Sequence, residues 1–147
     1  MNKQKIEIEF LTILNSKTNS TIEILDKLIH FSDDIAFGAL LNESQRDFKD
    51  LLVDTQTLLA EYGKKPKLVG EIEGTASSLA KGIHLSLNTL FDKSTTRLAE
   101  FLLAHLLHNI IQFHKSKASL LEQTLHSLNN RFITLNEKLF EQTKKFL

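Results

Sequence analysis

The segment DIAFGALLNESQRDFKDLLVDTQTLLAEY, residues 34–62, decides the fold class because its apolar residues recur at intervals of three and four. This spacing is typical of an amphipathic helix that turns one face to a core. Two polar residues, Ser44 and Thr55, lie on that same face. The predicted core face comprises Phe37, Leu40, Leu41, Phe48, Leu51, Leu52, Leu58, Leu59 and Tyr62.

Local signals bound this helix at both ends. Ser32 and Asp33 precede it, and both are residue types that cap helix N-termini. Gly63 followed by Pro66 is the usual order of residues after a helix C-terminus. We therefore predict one long second helix between these signals.

The N-terminal segment, residues 3–31, predicts a partner helix of similar length. Its apolar residues share one face, but the polar run at 15–21 interrupts them. We predict one continuous helix with a weak middle, because a partner of the second helix needs that length. Lys17, Thr18 and Thr21 are the polar members of its inward face.

The remaining chain predicts further helices. Glycine and proline concentrate in a loop at 62–74, and a short helix is predicted at 75–91. A third long helix is predicted over 94–117, with Asp92 or Ser94 as its cap. In the last helix the apolar residues follow steps of four and three that form one seam: Leu121, Leu125, Leu128, Phe132, Leu135, Leu139 and Phe146.

Together these segments predict an all-α fold. We expect an antiparallel four-helix bundle, with a short extra helix in the long connection between helices 2 and 3. The prediction is a single domain over residues 1–147, which is long enough to bury a core without disulfides.

The amino-acid composition reduces the number of classes of binding partner that the sequence predicts. Eighteen basic residues balance eighteen acidic ones and form no basic stripe, so nucleic acid is not a predicted partner. There is no cysteine, which is typical of a reducing compartment, and no signal-like segment or long apolar run. The sequence therefore predicts a cytoplasmic protein with no membrane partner.

Three histidines stand in the run HLLHNIIQFH, residues 105–114, of the third long helix. On a helical wheel His105, His108 and Asn109 fall in one half, which predicts a solvated polar face. His114 falls in the apolar half. That half, the predicted inward face, comprises Leu102, Leu103, Leu106, Leu107, Ile110, Ile111 and Phe113.

The same histidines are the candidate metal ligands. Side chains three residues apart on a helix can share one ion, so His105 and His108 could bind a transition metal such as zinc or iron. A carboxylate-bridged di-iron centre is not predicted, because it needs Glu-x-x-His pairs on two helices and the sequence contains none. The primary interpretation therefore includes no cofactor.

The order of these segments resembles the small bacterial ferritin-like proteins grouped as domain of unknown function 2383. The resemblance rests on ILNSKTNSTIEIL, SDDIAFGALLNESQRDFKDLL, LLAEYGKKP and GTASSLAKGIHLSLNTLF. It implies a ferritin-like bundle with possible links to metal or stress physiology. The family usually has acidic residues near the positions of His105, His108 and Asn109, and a tryptophan in the connector, and this chain has neither. The resemblance thus implies a fold and hardly a site.

Three functional interpretations remain open. The first is a non-catalytic binding or interaction module that forms a homo-oligomer or binds a protein partner. The second is a divergent metal-binding protein that uses His105 and His108. The third is a carrier of an apolar ligand in the bundle core, since the third helix is apolar over half its circumference.

Overall fold

The computed structural model describes residues 3–63, 93–117 and 122–147, and within these ranges the only regular structure is helical. For these residues the predicted all-α class is confirmed. The loop and short helix predicted between 62 and 91 lie outside the described residues, apart from Tyr62 and Gly63. The helices are α1 (Lys3–Phe31), α2 (Ile35–Glu61), α3 (Thr95–Ser116) and α4 (Gln123–Thr143), and a 3-10 turn, Lys144–Phe146, follows α4.

Helix α1 is continuous, as predicted, and its polar middle is buried. The Thr18 hydroxyl donates to the Leu14 carbonyl at 2.7 Å, and the Thr21 hydroxyl donates to the Lys17 carbonyl at 2.8 Å. These bonds satisfy the two threonine hydroxyls within the helix, so both enter the interior with their protons donated. The predicted inward polar residues Lys17, Thr18 and Thr21 of α1 are all buried.

The cap of α2 differs from the prediction. Asp34 is the cap, and its side chain accepts a hydrogen bond from the Phe37 backbone N–H at 2.8 Å. Ser32 still belongs to the end of α1, because its N–H donates to the Leu28 carbonyl at 2.9 Å. Only a tight turn separates the two helices. The cap is therefore Asp34 and not the predicted Ser32 or Asp33. Gly63, with φ of 72°, ends α2 as predicted.

Side-chain contacts locate the helices relative to one another. Tyr62, after the end of α2, donates its hydroxyl proton to Glu7 near the start of α1 at 2.6 Å. Gln45, in the first half of α2, donates to the Ile22 carbonyl in the second half of α1 at 3.1 Å. Helix α4 contacts both α2 and α3, and an ion pair between Asp54 and Arg131 links α2 to α4.

A chain of phenylalanine rings crosses the core. The centroids of Phe10 and Phe113 lie 6.2 Å apart, those of Phe113 and Phe132 4.5 Å apart, and those of Phe132 and Phe48 6.1 Å apart. The four residues belong to the four different helices. These edge-to-face and tilted contacts form one aromatic layer that joins all four described helices.

The predicted seam of α4 is confirmed only in part. Leu125, Leu128, Phe132 and Leu139 are buried, whereas Leu135 and Phe146 are only partly buried, and Leu121 lies outside the described residues. Asn129 and Asn136 are fully buried on the same helix. Two asparagines therefore occupy inward positions on α4 that the pattern of apolar residues does not predict.

The Tyr62 hydroxyl provides a direct test of how α1 and α2 meet. The hydrogen bond to Glu7, with burial and nearby negative charge, raises the pKa of Tyr62 to about 12. The neutral phenol stabilises the fold below a pH of about 10, the ordinary tyrosine pKa, and we expect this contribution to be lost as pH rises through about 12. Because Tyr62 is the only tyrosine and the chain lacks tryptophan, tyrosinate absorbance reports it alone.

We expect Glu7→Gln to move that absorbance midpoint back toward the ordinary tyrosine pKa. Glu9→Gln, on the exposed side of α1, is the matched control and should leave the midpoint unchanged. A wild-type midpoint at the ordinary value would show that the contact between the two helix ends does not form.

Candidate functional site

Helix α3 faces the core with a different side from the one predicted. His105 and Asn109 are buried, whereas Leu107 and Ile111 are 47% and 48% exposed, and His114 is exposed. The helical-wheel assignment of His105 and Asn109 to a solvated face was therefore wrong, as was the inward assignment of Leu107, Ile111 and His114. The inward side chains are Leu98, Ala99, Leu102, His105, Leu106, Asn109 and Phe113.

The physical reason lies on the other helices. Thr21 of α1 and Asn136 of α4 offer hydrogen-bonding partners to His105 Nε2 and Asn109 Nδ2, so these two atoms keep hydrogen bonds in the core. A wheel ranks the faces of one helix by their own residues. It cannot include partners that come from elsewhere in the chain.

We call Thr21, His105, Asn109 and Asn136 the polar cluster. Asn109 Nδ2 donates to Thr21 Oγ1 at 3.1 Å and to Asn136 Oδ1 at 2.9 Å, and His105 Nε2 lies 2.9 Å from Thr21 Oγ1. Asn136 Nδ2 donates in turn to the Phe132 carbonyl at 2.8 Å. The polar cluster therefore joins α1, α3 and α4 beside the phenylalanine layer.

The positions of the protons follow from these bonds. Thr21 donates its only hydroxyl proton to the Lys17 carbonyl, so Thr21 Oγ1 acts as acceptor toward the other residues of the cluster. His105 must then carry a proton on Nε2 to donate to Thr21. The 3.3 Å approach of Asn109 Nδ2 to His105 Nε2 brings two N–H groups together and is not a hydrogen bond.

His108 lies in a different environment from His105. It is exposed, and partial burial followed by the positive charge of Lys17 lowers the pKa of His108 below its ordinary value. Lys17 is itself 3% exposed, and burial lowers the pKa of its amine. Lys17 on α1 therefore places a cationic group near the outward histidine of α3.

This arrangement bears on the predicted metal ligands. His105 is buried and its Nε2 bonds to Thr21, whereas His108 is exposed. The charge of Lys17 opposes a cation beside His108. In the described ranges no three histidine, aspartate or glutamate side chains gather as a candidate metal cluster. The His105 and His108 pair stays a prediction.

The outward side of α3 carries a second feature, which we call the outer stripe. It consists of Glu100, Ala104, Leu107, Ile111 and Lys115, all exposed and within about 80° of one another on the helical wheel. Sequence reasoning missed it because Leu107 and Ile111 were assigned to the core. The signal available was the spacing of four, three, four and four.

Two further observations concern the surface and the apolar character of the described helices. A groove between α1 and α3 is lined by Ile6, Glu9, Phe10, Ile13, Gln112, Phe113 and Ser116. None of the four described helices combines the length and the apolar character required to cross a bilayer.

Comparison of the chain with protein-family models, with curated proteins and with solved structures finds no match.

Proposed function

We propose that this chain is a non-catalytic interaction module that binds a protein partner through the outer stripe of α3. The observation that carries the proposal is the adjacency of Leu107 and Ile111, which are 47% and 48% exposed on one face of a well-packed helix. They lie one turn apart, so a partner covers both together. Burying the exposed part of two such side chains supplies a favourable apolar term to binding.

The inner side of α3 supports this proposal. The polar cluster fixes the rotation of α3 through His105 and Asn109, and Phe113 packs against Phe10 and Phe132. The outer stripe is consequently held in one orientation before a partner arrives. Such a preorganised surface loses less conformational freedom on binding, and this improves affinity.

The scaffold we propose is a ferritin-like antiparallel four-helix bundle. The contacts of Glu7 with Tyr62 and of Ile22 with Gln45 support antiparallel packing of α1 and α2, because early residues of one helix meet late residues of the other. The resemblance to domain of unknown function 2383 supports the ferritin-like connection. The balanced charge and lack of cysteine support a cytoplasmic setting without nucleic acid.

The metal-binding and carrier interpretations have weaker support. A metal ion shared by His105 and His108 would have to reach the Nδ1 atom of His105, which is buried, while His108 lies at the surface. An apolar ligand in the bundle centre would have to displace the rings of Phe48, Phe113 or Phe132, which occupy it. Both interpretations therefore require rearrangement of the core, whereas the outer stripe is already accessible.

Site-specific photo-crosslinking in living cells tests the module proposal. We expect a photoreactive residue at Leu107 to give a discrete crosslinked product of higher mass, because this position is expected to lie inside the partner interface. Val53 is the matched control: it is an aliphatic residue of α2, 59% exposed, among the polar neighbours Lys49, Asp50, Gln56 and Thr57. Equal crosslinking at Leu107 and Val53, or none at Leu107, would contradict the proposal.

A further inference from the structure

We infer that the groove between α1 and α3 binds a small organic carboxylate, with the carboxylate group against Lys17 and His108 and the apolar part between the two helices. This site lies apart from the outer stripe and is independent of the proposed function. A buried lysine amine at one end of the groove, without a partner among the described residues, carries the inference.

The walls of the groove favour an apolar ligand. They include the side chains of Ile6, Phe10 and Ile13 from α1 and of Phe113 from α3. Ile13 is 37% exposed, so a ligand can reach this wall from solvent. The volume of the groove is about 170 Å³. A cavity of roughly 150 Å³ holds one benzene ring, so we expect the apolar part of the ligand to have about six to eight carbon atoms.

Later residues of α1 meet earlier residues of α3 along this groove. Phe10 contacts Phe113, whereas Thr21 accepts a hydrogen bond from Asn109. One turn forward on α1 and one turn back on α3 therefore lead to the same end of the groove.

Lys17 and His108 stand at that end. Ile13 and Gln112 both line the groove, and they face each other across it from α1 and α3. Lys17 follows Ile13 by four residues, and His108 precedes Gln112 by four residues, so each lies about one turn beyond a lining residue. The apolar groove is therefore continuous with a pair of basic side chains.

The Lys17 amine provides the positive charge for the carboxylate. Lys17 is 3% exposed, and its amine forms no ion pair or hydrogen bond with a described residue. A buried charge is unfavourable without a partner of opposite sign, and burial accordingly lowers the pKa of this amine. A bound carboxylate supplies that negative charge and accepts charge-assisted hydrogen bonds from the amine.

The other polar groups along the groove orient the ligand. His108 is exposed at the Lys17 end, where an imidazole N–H can donate a second hydrogen bond to the carboxylate. Glu9 lines the groove eight residues before Lys17, which is about 12 Å along α1 at a rise of 1.5 Å per residue. A carboxylate is therefore attracted to one end of the groove and repelled from the other.

Isothermal titration calorimetry of the purified full chain with octanoate tests the inference. We expect a Kd on the order of 0.1 to 1 mM, since a ligand of roughly ten non-hydrogen atoms with one ionic contact binds in this range. Two further ligands separate the contributions to binding. 1-Octanol has the same chain without the charge, and butyrate has the charge with a shorter chain. Each should bind about ten-fold more weakly than octanoate.

Lys17→Met keeps the length of the side chain and removes its charge. We expect this change to weaken octanoate binding by about ten-fold and to leave 1-octanol binding within about three-fold of the wild type. Lys27→Met is the matched control, because Lys27 is a partly buried lysine of the same helix ten residues away, and it should leave octanoate binding unchanged. Ile13→Trp fills the groove and should weaken the binding of both ligands.

Several results would overturn the carboxylate site. They are an absence of octanoate binding, equal affinities for octanoate and 1-octanol in the wild type, and unchanged octanoate binding in Lys17→Met. Circular dichroism checks that each variant is folded, and the comparison of the two ligands in the wild type needs no variant. Nuclear Overhauser contacts from the octanoate chain to the Ile13 methyl groups are expected. Contacts confined to Leu107 and Ile111 would place the ligand on the outer stripe and contradict the inference.

Discussion

Replacing Phe132 with alanine is expected to lower the free energy of unfolding by about 3 to 5 kcal/mol, the range for removing a fully buried phenylalanine. Phe132 stands in the middle of the aromatic layer and contacts both Phe113 and Phe48. Its loss leaves a cavity between three helices that rigid neighbouring rings cannot fill.

Urea denaturation followed by circular dichroism measures this effect. Phe140→Ala is the matched control, because Phe140 lies on the same helix but is only partly buried. We expect it to cost less than half as much as Phe132→Ala. Similar losses at both positions would show that the aromatic layer does not form the centre of the bundle.

Replacing Asn109 with leucine is expected to cost about 2 to 3 kcal/mol, although leucine is similar in size. The change removes both donors that Asn109 supplies, to Thr21 and to Asn136, and leaves Asn136 Oδ1 buried without a hydrogen bond. An unsatisfied buried acceptor costs more than the bond itself contributed. A surface asparagine, Asn130, provides the control, and Asn130→Leu should change stability by less than about 0.5 kcal/mol.

A double-mutant cycle resolves the contribution of the cluster. Asn136→Leu alone should also destabilise, but Asn109→Leu with Asn136→Leu should cost less than the sum of the two single changes by about 1 kcal/mol or more, because neither side chain then leaves its partner unsatisfied. Additive losses would mean that the two asparagines do not bond to each other in solution.

Much of the fold could be predicted because it depends on local patterns. The apolar spacing of residues 34–62 and the glycine at 63 are properties of one segment, and the structure places α2 almost where they indicate. The continuity of α1 through its polar run followed from the length of its partner. The shift of the cap to Asp34 shows the limit, since the choice among three adjacent polar residues depends on where α1 ends.

The site could not be predicted in the same way. His105 and Asn109 are polar, and only the presence of Thr21 and Asn136 across the bundle makes their burial favourable. Those partners are 84 and 27 residues away in the chain. Hydropathy alone orients the helical wheel of α3 with Leu107 and Ile111 toward the core. The outer stripe is therefore not predicted from the sequence.

The polar cluster also determines the register of α1 against α3 and α4. Sliding α1 by one turn, about 5.4 Å, would bring either Lys17 or Leu25 to the position of Thr21. A leucine there would leave His105 and Asn109 in contact with methyl groups in place of a hydroxyl. A lysine there would bury a positive charge, and the cluster contains no negative group to pair with it. A purely apolar seam of leucines tolerates such slippage far better. The four polar side chains therefore allow one alignment of the helices and penalise its nearest competitors, so that a chain rich in interchangeable leucines still folds to a single structure.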